Sequence, residues 1–150
     1  APGHPLAPKD SLSTVQPTVL PTDIGVITPY RAQVKKITTA LGMAGIPVGA
    51  HGESDGVTVG TTEAFQGQER RVIILSTVRS DETCTNGDSR ASLGFVVSPN
   101  RFNVAVTRAQ ALLVVVGCPR LLACNTAWAA LLQWCVDNGA YRGVDLCSRP

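Results

Sequence analysis

Gln66, Gly67, Gln68, Glu69, Arg70 and Arg71 stand in one row directly ahead of an apolar run, in a chain with only 16% charged residues. The row offers two amides, a carboxylate and two guanidinium groups, with a glycine that lets main chain approach a ligand closely. A carboxylate such as Glu69 suits the paired hydroxyls of a ribose. Thr61 and Thr62, just upstream, supply hydroxyls for a sugar–phosphate backbone. The plain alternative is an ordinary turn with solvated side chains. A second cluster, Thr28-Pro29-Tyr30-Arg31, reads as a strand end feeding a helix start. Free N–H groups at a helix N-terminus favour phosphate, Tyr30 can stack on a base, and Arg31 can pair with a phosphate. The same residues equally suit a capped helix start with Arg31 in solvent. A third cluster, NRFNVAVTRAQ (100–110), places Arg101 and Arg108 seven residues apart, two helical turns, so that both emerge on roughly one face. Over a triphosphate, Arg108 can act as an arginine finger, typically worth ~10³–10⁵ in rate. Taken alone, two arginines on a helix make a solvated face.

The elements that must position these clusters alternate between two periods. IGVIT (24–28) is a short apolar run suited to a buried strand, and Thr28-Pro29 reads as N-cap plus first helical proline. Tyr30, Val34, Ile37 and Leu41 then recur on one helical face, with Gly42 as the stop. A Gly-rich connection leads to a strand at VTVGT (57–61), and RVIILSTV (71–78) is nearly continuous in apolar residues, as in a parallel sheet covered on both faces. PNRFNVAVTRAQ can form a short helix with Pro99 near its start. ALLVVVG (111–117) is the foremost core-strand candidate, and a last helix runs from Thr126 to Asn138 with Gly139 as its stop. Strands separated by helices argue an α/β domain with a mostly parallel sheet, helices on both faces, and ligands at the carboxyl ends of the strands.

At 150 residues the chain fits a single domain, able to bury a core without disulfides or metal. The net charge of +2 permits a polyanion without demanding one. The five cysteines are odd in number and none forms a C-x-x-C pair, which reads as a reducing, cytoplasmic setting. His4 and His51 lie far apart in turn-like segments, so no metal site is expected. No apolar run reaches the ~18 residues of a membrane span. Residues 1–22 hold five of the ten prolines and read as an extended lead-in, residues 23–143 as the domain, and 144–150 as a tail. The start at Ala1 rather than Met suggests a piece of something longer.

Taken in order, TPYRAQ, TTEAFQGQERRVIILSTVRS and LGFVVSPNRFNVAVTRAQALLVVVG resemble motifs IV, V and VI of superfamily 1 helicases. The resemblance is to the Upf-like branch and, within it, to the Armitage-type RNA helicases of small-RNA silencing and mRNA turnover. It covers residue 23 to about 143, and FQGQE with NVAVTRA at this separation is a specific pair of signals. The resemblance implies the second RecA-like lobe of an enzyme that moves 5′ to 3′ on single-stranded RNA, or DNA, using ATP and Mg²⁺. Such a lobe is a three-layer sandwich around a mostly parallel sheet.

By the same resemblance, Arg108 reaches the γ-phosphate, Gly67, Gln68 and Glu69 contact nucleotide, and Gln66 links nucleotide state to strand grip. Arg101 joins the nucleotide group, while Thr28, Pro29, Tyr30, Thr61 and Thr62 touch the nucleic-acid backbone. Some relatives place a phosphate-binding arginine after the glutamine of motif IV, where Val34 stands, leaving Arg31 as its substitute. A phosphate-cradling G-x-x-x-x-G-K-[ST] is absent from the sequence, since none of Lys9, Lys35 and Lys36 follows a glycine. Asp81-Glu82 reads as loop rather than as a magnesium-binding pair. The chain by itself is therefore expected not to hydrolyse ATP, its partner being an upstream lobe of the same protein. The competing reading is a degenerate lobe serving as an RNA- or protein-docking surface. A dinucleotide-binding domain ranks last, because no G-x-G-x-x-G follows a strand.

Overall fold

The aliphatic runs IGVI, VTVG, RRVIILS and AQALLVVV all become strands of one sheet in the computed structural model, which describes residues 18–49, 55–78 and 98–144. A short 3₁₀ turn (Pro21–Asp23) precedes β1 (Ile24–Ile27), α1 (Arg31–Met43), β2 (Val48–Gly49) and β3 (Val57–Gly60). There follow β4 (Arg70–Ser76), α2 (Pro99–Val106), β5 (Ala109–Val116), α3 (Pro119–Leu122) and α4 (Thr126–Asp137). The strand order is β2-β3-β1-β4-β5 and every pairing is parallel, a RecA-like α/β arrangement.

Register assigns each side chain to a face. Gly25 and Ile27 of β1 lie beside Ile73 and Leu75 of β4, which lie beside Leu113 and Val115 of β5. This face is the core: Ile27, Ile73 and Leu75 cluster with Phe65, Ala105 of α2, Leu121 and Leu122 of α3, and Trp128 of α4. The Phe102 and Trp128 rings meet edge to face at 4.8 Å, locking α2 to α4. α1 packs on β2 and β3. Its crossover runs in the opposite direction along the sheet, so a right-handed connection places it on the opposite face. An ion pair between Arg71 and Asp23 at 3.2 Å ties the 3₁₀ turn to β4.

Three local expectations shift. Thr28 does not cap α1: its N–H bonds Gly60 O at 3.0 Å, which prolongs strand pairing, and Tyr30 takes the cap position two residues later. Gly42 lies inside α1 rather than ending it. The stop is Gly45, at φ +71°, with Gly45 N–H bonded to Gly42 O and Ile46 N–H to Leu41 O, the paired bonds of a Schellman motif. Gly139 ends α4 the same way, as the sequence suggests. The third shift concerns ALLVVVG, which forms the edge strand rather than the centre of the core. Its alternate residues Leu112 and Val116 are 53% and 56% exposed, because among the described residues nothing covers that face of β5.

Cys118 packs against the core and Cys124 is exposed, both as free thiols. Among the described residues there is no metal-binding group of His, Cys, Asp and Glu, and no helix long and apolar enough to cross a membrane. Most of the Pro-rich lead-in, both histidines, the 81–92 loop with Asp81-Glu82, and the tail after Val144 lie outside the described residues.

Candidate nucleotide and nucleic-acid interface

The segment 61–69 joins the carboxyl end of β3 to the amino end of β4, and β1 lies between those strands. Parallel connections usually need a dozen or more residues and a helix. This one is nine residues of consecutive turns, held by Phe65 N–H to Thr61 O (3.2 Å), Gln66 N–H to Glu63 O (3.2 Å) and Gln68 N–H to Phe65 O (3.0 Å). The short path works because Phe65, fully buried, packs against β1 and β3 where each carries a glycine. A Cβ on Gly25 would stand 2.8 Å from the Phe65 ring, and one on Gly60 would stand 3.1 Å from it. Gly67, at φ +77°, then turns the chain down toward Glu69.

α2 is the neighbouring crossover, from β4 to β5, on the same face and in the same direction. The two crossovers touch at both ends. Near the carboxyl edge of the sheet, Arg101 Nε bonds Glu63 Oε1 at 2.9 Å, beside a cleft lined by Thr62, Gln66, Asn100 and Val104. The bond from its own backbone N–H holds the Glu63 carboxyl below its ordinary 4.5, against the opposing effect of burial. The Thr61 hydroxyl and the Arg101 charge lower it further. Near the amino edge, Gln110 Nε2 donates to Glu69 Oε2 at 3.3 Å, and Arg70 N–H donates to Arg108 O at 3.1 Å.

This layout sorts the site residues into two groups. Thr28, Pro29, Tyr30, Thr61 and Thr62 gather at the carboxyl edge of β1 and β3. Among the described residues, the buried hydroxyls of Thr28 and Thr62 have no hydrogen-bond partner there. Gly67, Gln68, Glu69 and Arg108 gather instead at the amino edge of β4 and β5. The two groups lie at opposite edges because a crossover between parallel strands begins at one edge and ends at the other.

Arg31 opens α1, exposed, at the carboxyl edge, so the structure does not bring it to Arg108. Nor do Arg101 and Arg108 share a helical face: α2 runs only from Pro99 to Val106, with Arg101 in its first turn and Arg108 beyond its end. Arg108 turns back along the helix end, donating from Nε to Val104 O at 3.0 Å and from a terminal nitrogen to Thr107 Oγ1 at 2.8 Å. A cation is favoured there by the negative end of the helix dipole. Gln66 lines the cleft beside the Glu63–Arg101 pair, with Thr62 of the carboxyl-edge group. Sequence reasoning missed Glu63, Arg70 and Gln110 as site residues. Only Arg70 carried a signal, through its place in the polar row; the partners of the other two are fixed by tertiary contact.

The family model described as "AAA domain" matches residues 9–120. The chain belongs to the AAA domain family. This AAA domain is 47% identical over 134 residues to "Putative helicase MOV-10" of Gallus gallus, covering 89% of this chain and 14% of that protein. It is 40% identical over 136 residues to "Probable RNA helicase armi" of Drosophila melanogaster, covering 91% of this chain and 11% of that protein. The resemblance to Armitage-type helicases thus extends over most of the AAA domain, which itself spans only about a seventh to a ninth of these relatives. Among solved structures, the C-terminal domain of a possible DNA helicase from Lactobacillus plantarum superposes with a TM-score of 0.47 at 19% identity, covering 71% of this chain and 65% of that one.

Proposed function

We propose that this AAA domain is the second RecA-like lobe of an ATP-dependent RNA helicase that moves 5′ to 3′ along single-stranded RNA. The observation that carries the reading is the separation of two chemistries by one pair of crossovers. Hydroxyl and aromatic groups suited to a nucleic-acid backbone lie at the carboxyl edge, and Glu69 with Arg108 lies at the amino edge. The residues present fit one side of a nucleoside triphosphate. The exposed Glu69 carboxylate accepts from Gln110 and retains lone pairs for ribose hydroxyls, while the Arg108 guanidinium is held by bonds to neutral oxygens that a phosphate outcompetes. ATP supplies the phosphoryl bond whose hydrolysis drives the cycle, with the phosphate cradle and the Mg²⁺ ligands on the upstream lobe.

Within this chain, Arg108 would be the residue to exchange its bond to Val104 O for one to a phosphate oxygen. The Arg70–Arg108 backbone bond would link that residue to the motif V crossover, and the Glu63–Arg101 pair lies at the strand-binding end of the same two segments. The word "RNA" in the armi name favours RNA over DNA. Proteins of small-RNA silencing or mRNA decay as partners, and a cytoplasmic location, rest on the family resemblance.

The test is RNA-stimulated ATP hydrolysis by the full-length parent protein as wild type and as Arg108→Ala. The reading predicts a fall of about a thousandfold or more with RNA binding retained. Unchanged turnover in the folded variant contradicts the role of Arg108.

A further inference from the structure

Arg70 stands at the first position of β4, yet its guanidinium does not point into solvent. NH1 donates to Glu69 O at 2.7 Å, and NH2 is shared between Thr58 Oγ1 at 3.2 Å and Gln68 Oε1 at 3.4 Å. Thr58 belongs to β3 and is almost completely buried, so the arginine reaches past the start of β1 to a fixed point two strands away. Its own N–H bonds Arg108 O. The guanidinium therefore ties the Gln68 side chain and the Glu69 main chain to Thr58 in the sheet, while the Arg70 main-chain N–H meets Arg108.

We infer that Arg70 is the positioning residue of the nucleotide edge, its guanidinium setting the aim of the Glu69 carboxylate toward the ribose. Only a guanidinium serves here. Its planar fork reaches acceptors on two sides at once, and a lysine ammonium, a compact point charge, cannot hold the same set. The inference rests on the helicase reading, because it assigns Arg70 to the same nucleotide.

The experiment compares ATP with 2′-deoxy-ATP in RNA-stimulated hydrolysis by the full-length parent protein, as wild type, Arg70→Ala, Arg70→Lys and Thr58→Val. A merely structural arginine would lower the amount of folded enzyme without touching its preference for the 2′-hydroxyl. Arg70→Ala is expected to raise KM for ATP by about tenfold, with kcat within about threefold, and to bring the ratio of the two KM values toward one. Arg70→Lys should recover less than half of that ratio. Thr58→Val, which keeps the shape of a buried strand residue, should move KM and the ratio in the same direction by a smaller factor. It decides the matter if Arg70→Ala does not fold. Wild-type activity with the KM and ribose preference of the folded Arg70→Ala variant unchanged, or a fall confined to kcat, overturns the inference and leaves the helicase reading standing. A wild type that hydrolyses neither nucleotide removes both.

Discussion

Phe65 is the part of the motif V crossover that the fold cannot spare, and a double-mutant cycle with Gly25 tests why. The ring is fully buried, and its Cε1 lies 2.8 Å from where a Gly25 Cβ would stand. Gly25→Ala therefore overpacks the site, at a cost of about 1–3 kcal/mol. The same Cβ would meet Ile73 Cδ1 at 2.8 Å, but that is the far end of a flexible chain and can turn aside, so the ring is the main obstacle. Phe65→Leu shortens the side chain and should cost about 1.5 kcal/mol. If the ring sets the limit, the added methyl fits better once leucine replaces it, and the double variant should be more stable than the sum of the single costs by about 1 kcal/mol. Phe65→Ala, which only empties the slot, should cost about 3–5 kcal/mol, a large fraction of the ~5–15 kcal/mol typical of a domain. Urea unfolding followed by the fluorescence of the buried Trp128 reads all four variants. Additivity within about 0.5 kcal/mol would refute the claim that Phe65 and Gly25 share one space.

Two further outcomes follow from the same contacts. The Glu63 carboxyl lies below its unfolded value of 4.5, so its contribution to stability is present above that pH and is lost as pH falls through the folded value. Glu63→Gln should therefore lower Tm slightly near neutrality and converge with wild type in acid, as followed by thermal melts from about pH 7 to pH 3; the exposed pair limits the effect to under about 1 kcal/mol. The Asn125 side chain accepts from the N–H groups of Ala127 (3.1 Å) and Trp128 (3.3 Å) at the start of α4. Asn125→Ala should cost about 1 kcal/mol in denaturant unfolding, whereas Asn125→Asp should retain most of it.

The strands and the two long helices were legible because their signals are local: aliphatic runs, a 3.6-residue stripe, glycine stops. Where local signals were ambiguous the reading slipped. Gly42 and Gly45 both qualify as a helix stop, and only the paired bonds of Gly45 and Ile46 to the last turn decide between them. Pro29 looks like a first helical residue, but the bond from Thr28 to Gly60 on a neighbouring strand delays the helix. The apolar content of ALLVVVG is the same whether a strand lies in the middle of a sheet or at its edge, and strand order is set by pairing between distant segments. The site showed the same division. Which residues carry polar chemistry could be read directly. That Glu69 and Arg108 lie at one edge and Thr28 and Thr61 at the other follows from parallel strands alone; which of these residues are lateral neighbours could not be read, since it depends on β1 sitting between β3 and β4.

The most direct test of the two-edge arrangement is to crosslink both ligands to the full-length parent protein and map the adducts by mass spectrometry. Single-stranded RNA carrying 4-thiouridine should label residues 28–31 or 61–63, and ATP carrying an azidoanilide on its γ-phosphate should label residues 66–70 or 108–110. Both ligands labelling the same edge, or nucleotide adducts confined to residues 28–31, would contradict the account.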